Sequence, residues 1–324
     1  MTMTEKSKTA PVVYLVVPCY NEEEALPVTA EKLTEKMRRL CWDGKISPAS
    51  RVVLVDDGSK DATWECIAAL HAESPLFQGI KLSRNCGHQR ALLAGLMTVR
   101  DHCDAVISMD ADLQDDIDAM DGMIEKFCEG CEIVYGVRSD RKTDTVFKRG
   151  TAQAYYKMMR LMGVEMVYNH ADYRLMSSRV LRELADYEEV NLFLRGLVPM
   201  LGYRTDVVYY ARAPRMQGES KYPLKKMLAF AFEGITSLSI KPIRMITMLG
   251  VGIFLVSLAM LIYVLIRHFL GYTVVGWTFL AVSLWGIGGL QLLSIGIVGE
   301  YIGKIYLETK RRPRYHLETY LGDR

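Results

Sequence analysis

The sequence predicts an α/β domain built on a parallel sheet, joined to a membrane anchor. Three observations carry this reading. Short continuous apolar runs alternate with helical patterns through residues 12–138. Carboxylate-rich motifs sit at the ends of three of those runs. Two long uncharged stretches follow, Met245–Ile266 and Gly271–Gly299.

The elements come in order. "VVYLVVP" (12–18) is a buried strand and 25–40 a helix; "RVVLVDD" (51–57) is a second strand and 60–72 a helix. "GIKLS" (79–83), "DAVISMD" (104–110) and "EIVYGVR" (132–138) complete five strands, with helices over 88–99 and 116–128. Continuous apolar strands alternating with helices indicate a parallel sheet covered on both faces.

Each uncharged stretch exceeds the roughly 20 residues needed to cross the hydrocarbon layer. Gly299 and Gly303 form a GxxxG step, which lets helices pack closely in lipid. Lys221, Lys225, Lys226, Lys241 and Arg244 precede the first stretch, and Lys304, Lys310, Arg311, Arg312 and Arg314 follow the second. Only Arg267 and His268 lie between. The positive-inside rule therefore places both ends in the cytosol and the chain in the cytoplasmic membrane. Residues 222–240 carry Leu224, Met227, Leu228, Ala231, Ile235 and Leu238 at helical spacing, as in a helix lying in the membrane interface. The expected organisation is a cytosolic catalytic domain (1–220), interfacial helices (221–244), a two-helix transmembrane hairpin (245–303) and a basic cytosolic tail (304–324).

The net charge of +2 implies no large nucleic-acid surface. The N-terminus "MTMTEKSKTA" has no apolar core, so no signal peptide is expected. Seven cysteines are scattered, with Cys128 and Cys131 the lone CxxC pair; they read as reduced thiols rather than zinc ligands.

In open α/β sheets ligands bind beyond the carboxyl ends of the strands. There the chain places "PCYNEEE", "DDGSKD" and "DADLQDD". Three acidic ends along one sheet edge repel one another, so a cation or ligand is expected among them. No glycine-rich phosphate loop is present, which disfavours dinucleotide oxidoreduction and P-loop hydrolysis. Asp110, Asp112 and Gln114 offer hard oxygen ligands. These suit Mg²⁺ or Mn²⁺, which bind through one or two carboxylates plus substrate phosphates.

"PCYNEE", "VDDGS", "DADLQD", "DYRLMSSRV", "FLRGL" and "GESKY", in this order and followed by two apolar stretches, resemble family 2 inverting glycosyltransferases of the GT-A fold. More narrowly they resemble the polyprenyl-phosphate enzymes, the bactoprenol glucosyltransferase and dolichol-phosphate mannosyltransferase group. The resemblance spans residues 11–315. It implies that Pro18, Tyr20 and Glu22 line the nucleotide pocket and that Asp57 accepts hydrogen bonds from the base, with Asp56 supporting the turn. Asp110, Ala111 and Asp112 would reach the ribose and metal, and Gln114 would complete the metal site. Arg215 and Lys221 would close over the diphosphate, with Gly218 flexing their loop. Arg138 and Arg149, helped by Lys148, would hold the acceptor phosphate; a helix over 147–162 would carry the latter two. Asp172 stands where the family faces its acceptor, to orient the phosphate or take a residual proton; a buried ion pair with Arg174 is the alternative. His88 and His170 lie near motifs but form no evident dyad, and each reads first as structural.

The implied reaction is a single inverting displacement from UDP-glucose to undecaprenyl phosphate, with GDP-mannose, UDP-galactose or UDP-N-acetylglucosamine as alternative donors. A homo-tetramer is implied by the same resemblance. A processive synthase is disfavoured, because "QxxRW" is absent. An inactive nucleotide-sugar-binding scaffold is the rival of another class. Two departures stand out: Asp116 where many relatives carry proline, and Cys86 where an aromatic is common.

Overall fold

The computed structural model describes residues 10–139, 170–190, 192–211, 241–270 and 277–322. They divide into two compact units. The first holds the described residues up to 211 together with 312–322, and the second those from 241 to 311.

The first unit is a single sheet of eight strands in the order β7-β5-β6-β4-β1-β2-β3-β8. The strands are β1 (Val13–Cys19), β2 (Arg51–Asp56), β3 (Phe77–Leu82), β4 (Ala105–Ser108), β5 (Ile133–Arg138), β6 (His170–Ser177), β7 (Thr205–Tyr210) and β8 (Leu317–Leu321). Strand β1 is buried at every position and pairs in parallel with both β2 and β4. A run without alternation suits a strand covered on both faces.

Among the described residues six helices cover this sheet: α1 (Leu26–Trp42), α2 (Thr63–Glu73), α3 (His88–Val99), α4 (Ala119–Cys128), α5 (Ser178–Ala185) and α6 (Leu194–Met200). Side chains of α1, α2 and α4 pack into one core cluster and those of α3, α5 and α6 into another. Helix α3 lies close on the sheet because Gly95 has no side chain. A Cβ there would meet Val16 Cγ1 at 2.5 Å and Val55 Cγ2 at 2.8 Å.

The expectation of a parallel sheet is corrected to a mixed one. Strand β6 runs antiparallel to β4 and to β5, and β8 antiparallel to β3. Hydropathy carries no information on strand direction. Nor does it reveal β6, whose "ADYRLMS" places Asp172 and Arg174 in the interior, where they neutralise each other.

Strand β8 lies within the stretch expected as a basic tail. Ser83 N–H donates to His316 O at 3.1 Å, Lys81 pairs with Glu318 at 3.0 Å, and Tyr320 OH donates to the buried Gln78 Oε1 at 3.1 Å. Arg314 Nη1 donates to Tyr187 O at 2.7 Å. Residues 312–322 thus return to the catalytic unit and close its β3 edge. Deleting residues 312–324 from the full chain is expected to lower its unfolding midpoint by several degrees. The deletion strips the β3 edge of its ladder partner and removes the Tyr320–Gln78 hydrogen bond, itself worth about 0.5–1.5 kcal/mol. An unchanged midpoint in thermal unfolding would show that the strand contributes nothing.

The second unit consists of α7 (Lys241–Phe269) and α8 (Trp277–Thr309). Among the described residues one stretch, Leu290–Thr309, is long and apolar enough to cross a membrane, with mean hydropathy 1.2. It overlaps the C-terminal part of the expected second span (Gly271–Gly299), of which residues 271–276 are outside the described residues. The expected interfacial helix over 222–240 is also outside them.

Candidate active site

The carboxyl edge of β1, β2 and β4 is laced together by local polar groups. After β1, Asn21 adopts a left-handed conformation (φ 54°), and its N–H donates to Ser59 Oγ at 3.0 Å. Its Oδ1 accepts from Lys60 N–H at 2.9 Å, and Glu22 N–H donates to Thr63 Oγ1 at 2.9 Å. These bonds tie the "PCYNEEE" loop to the "DDGSKD" loop. Pro18 and Cys19 lie directly beside Val55 and Asp56 in the β1–β2 register. Tyr20 is exposed at 41 %, available for stacking.

The two carboxylates of "DDGS" serve different partners. Asp57 Oδ1 accepts from Cys86 N–H at 2.7 Å and Oδ2 from Gly87 N–H at 2.9 Å. Burial pushes the Asp57 carboxyl up, and these backbone donors oppose the rise. Asp56 Oδ1 accepts from Ser59 N–H at 3.0 Å, while Oδ2 is buried with no hydrogen-bond partner. Gly58 follows with φ +64°; a Cβ there would stand 2.5 Å from Arg84 C and Asn85 N, so only glycine fits.

Beyond β4 the "DADLQD" turn is held from two sides. Ala111 O accepts from Thr29 Oγ1 of α1 at 2.9 Å. Asp112 Oδ1 accepts from Gln114 N–H at 3.2 Å across Leu113, which is left-handed (φ 51°). The Gln114 side chain is buried. Glu22, Ala111 and Asp112 share a cleft of about 540 Å³ with Asp61 and Thr29. Lys36 of α1, almost fully buried, bridges Asp118 (2.6 Å) and Asp121 at the start of α4. The ion pairs thus anchor the far end of the turn. Asp116 has a local use there: its Oδ1 accepts from Asp118 N–H at 2.9 Å, opening the turn into α4.

Asp110 is half-buried among charged side chains. Burial raises its pKa, and Asp172, Asp115 and Asp112 add to the rise while His88 opposes it. His88 Nε2 lies 3.5 Å from Asp110 Oδ1 and 3.8 Å from Asp172 Oδ2. Asp172 is itself gripped from the other side. Arg174 Nη2 donates to Oδ1 at 3.0 Å, and Arg195 donates to Oδ1 through Nε at 3.1 Å and to Oδ2 through Nη2 at 2.8 Å. Burial alone would raise the Asp172 pKa; Arg195 and Arg174 outweigh it and hold the carboxyl well below the usual range. The ion pair with Arg174, the sequence alternative for Asp172, is therefore present.

On the neighbouring strands Arg138 and Tyr210 are register partners at the ends of β5 and β7. Both reach the buried Asp115: Tyr210 OH donates to its Oδ1 at 2.5 Å and Arg138 Nη2 at 3.1 Å. Burial would lower the Arg138 pKa, but Asp115 and Tyr210 outweigh it and raise it.

Asp110, Asp112, Asp172 and, through Asp115, Arg138 therefore gather at one edge. Lys148, Arg149, Arg215, Gly218 and Lys221 lie outside the described residues. Sequence reasoning gave no role to Asp115, Tyr210 or Arg195 and left His88 structural. The signals were slight: Arg195 stands in the quoted "FLRGL", and Asp115 was counted only as part of an acidic run. The seven cysteines are all unbridged. Cys86 Sγ lies 3.3 Å from Arg84 O, and its N–H serves Asp57.

The chain is 52% identical over 308 residues to the uncharacterised glycosyltransferase YkoT of Bacillus subtilis (strain 168), covering 95% of this chain and 91% of the relative. It is 41% identical over 307 residues to the bactoprenol glucosyl transferase of Shigella phage SfV, covering 94% and 97%. Among solved structures it aligns with mannosyl-3-phosphoglycerate synthase from Rubrobacter xylanophilus. That match has 16% identity and a TM-score of 0.47 and covers 69% and 71% of the two chains. A family model, Glycosyl transferase family 2, matches residues 14–185. With a GT-A-like mixed sheet, an acidic carboxyl edge and this match, the chain belongs to glycosyl transferase family 2 and is a glycosyltransferase.

Proposed function

We propose that the protein transfers glucose from UDP-glucose to a polyprenyl phosphate, undecaprenyl phosphate, with inversion, at the cytosolic face of the cytoplasmic membrane. One observation carries this reading. Asp110 and Asp172 converge on one cleft edge in a chain aligned over 94% of its length with a protein named bactoprenol glucosyl transferase.

The donor half would use the β1, β2 and β4 ends. Asp57, expected at the base, has both oxygens taken by the Cys86 and Gly87 N–H groups, so the role passes to Asp56, whose Oδ2 is buried without a hydrogen-bond partner and suits an N–H of the base. Tyr20 stacks, and Pro18, Glu22 and Ala111 complete the nucleotide wall. The residues present fit a divalent ion: Asp110 and Asp112 offer hard carboxylate oxygens at the turn beyond β4, beside the further carboxylates Asp115 and Asp172. Among the described residues no three ligating side chains form a preassembled metal site. Mg²⁺ or Mn²⁺ would be held by Asp110 and Asp112, near Gln114, together with a diphosphate. When bound, the ion would supply charge stabilisation for the leaving diphosphate. Arg215 and Lys221 would add to it.

The acceptor phosphate is already ionised near neutral pH. Its oxygen attacks the anomeric carbon, a new C–O bond forms, and the bond to the diphosphate breaks with its electron pair on UDP. Asp172 orients this side through Arg195, and Arg138, Lys148 and Arg149 hold the phosphate. A guanidinium suits phosphate geometry. Large apolar side chains along α7 and α8, such as Met248 at 74 %, Leu284 at 71 % and Leu292 at 72 %, are exposed. Surfaces of this kind need a cover. We take both helices to span the membrane, with both termini cytosolic, in a homo-oligomer.

Membranes holding the protein, given undecaprenyl phosphate and Mg²⁺ or Mn²⁺, are expected to move label from UDP-glucose into the organic-extractable lipid. EDTA should abolish the transfer. Label from GDP-mannose, UDP-galactose or UDP-N-acetylglucosamine instead would replace the sugar and keep the reaction. No transfer from any donor by folded, inserted protein would favour the scaffold.

A further inference from the structure

One side chain beside Asp110 and Asp172 has no part in the scheme above. His88 opens α3 directly after Gly87, whose φ of +90° turns the chain into the helix. The loop that presents it is pinned, since Asp57 accepts the N–H groups of both Cys86 and Gly87. Nε2 of the imidazole faces Asp110 Oδ1 at 3.5 Å and Asp172 Oδ2 at 3.8 Å. Asp172 cannot swing away, because Arg174 and Arg195 hold both of its oxygens. The imidazole therefore stands at the junction between the donor carboxylates and the acceptor-side ion pair.

We propose that His88 is a positioning residue: it orients the Asp110 carboxylate for the divalent ion and ties it to the Asp172–Arg195 pair. The proposal rests on the metal reading above. A ligating carboxylate needs one oxygen aimed at the ion, and a donor on the other oxygen fixes that aim. Such outer partners change metal affinity about 10–100-fold when removed. Separations of 3.5 and 3.8 Å are long for hydrogen bonds in a site without substrate, and contacts of this kind shorten when ligands bind. The rival role is electrostatic. A histidine that merely offset two carboxylates would weaken cation binding, and its removal would strengthen it. The two roles predict opposite signs.

The test uses full-length protein in detergent with UDP, titrated with Mn²⁺ while free Mn²⁺ is read by electron paramagnetic resonance. His88→Ala is expected to bind Mn²⁺ about ten-fold more weakly than wild type. His88→Gln, whose amide nitrogen reaches the place of Nε2, is expected to recover most of that loss. Because the His88 side chain is 44 % exposed, both variants should unfold at the wild-type temperature. Unchanged or tighter Mn²⁺ binding by His88→Ala overturns the proposal, as does a glutamine variant as weak as alanine. Wild-type protein that binds no Mn²⁺ overturns both this proposal and the metal reading.

Discussion

Asp112→Asn is expected to lower sugar transfer by at least about 100-fold, the scale on which an electrostatic stabiliser of the transition state acts. The substitution is nearly isosteric. Asparagine Oδ1 can still accept from Gln114 N–H, the 3.2 Å bond that closes the turn across Leu113. Thr29 still holds Ala111 O, and Lys36 still anchors the start of α4. The turn should therefore persist, with stability within about 1 kcal/mol of wild type. What is lost is the charge needed by a cation that bridges to the diphosphate. Initial rates on undecaprenyl phosphate, beside a thermal unfolding curve, separate the two effects. Transfer within a few-fold of wild type would remove Asp112 from the site.

Arg174→Met is expected to be the most damaging substitution for folding. Arg174 is fully buried on β6 between β4 and β5. It donates to Asp172 Oδ1 and to Leu194 O, the latter at 3.4 Å, so it links the strand to the start of α6. Burial presses its pKa down and Asp172 opposes this, so each charge depends on the other. Removing one member of such a pair costs about 3–5 kcal/mol, because the remaining charge is left buried and under-compensated. Here Arg195 still grips Asp172, which favours the lower end. Arg174→Lys should not rescue, since an ammonium cannot serve both acceptors from one planar fork. Adding Asp172→Asn to Arg174→Met should recover part of the loss. Unfolding of the variants in detergent measures this, and a loss below about 1 kcal/mol would show the pair to be dispensable.

Much of this molecule was legible before any coordinates. The apolar runs at 12–18, 51–57 and 104–110 coincide with β1, β2 and β4, because strands covered on both faces must be apolar throughout. The acidic motifs that end them had to lie at the carboxyl edge of the sheet. Gly58 was visible as part of "DDGS", though the backbone approach that requires it was not. The family was readable because its motifs follow one another in order.

Other features needed the folded chain. Strand β6 was hidden because its interior positions are charged, and only pairing makes buried charge tolerable. Strand β8 was read as a basic tail, since nothing within five residues shows that the β3 edge, more than 230 residues earlier in the chain, awaits a partner. The groupings of His88 with Asp110 and Asp172, and of Arg138 and Tyr210 with Asp115, join residues from different strands and helices. Their meeting depends on strand order and register. By itself the sequence determined which residue types stand at the ends of which strands, because burial and periodicity are local properties. The tertiary structure alone decided which of those side chains touch, because hydrogen bonds and ion pairs form over a few ångströms between segments that the chain keeps far apart.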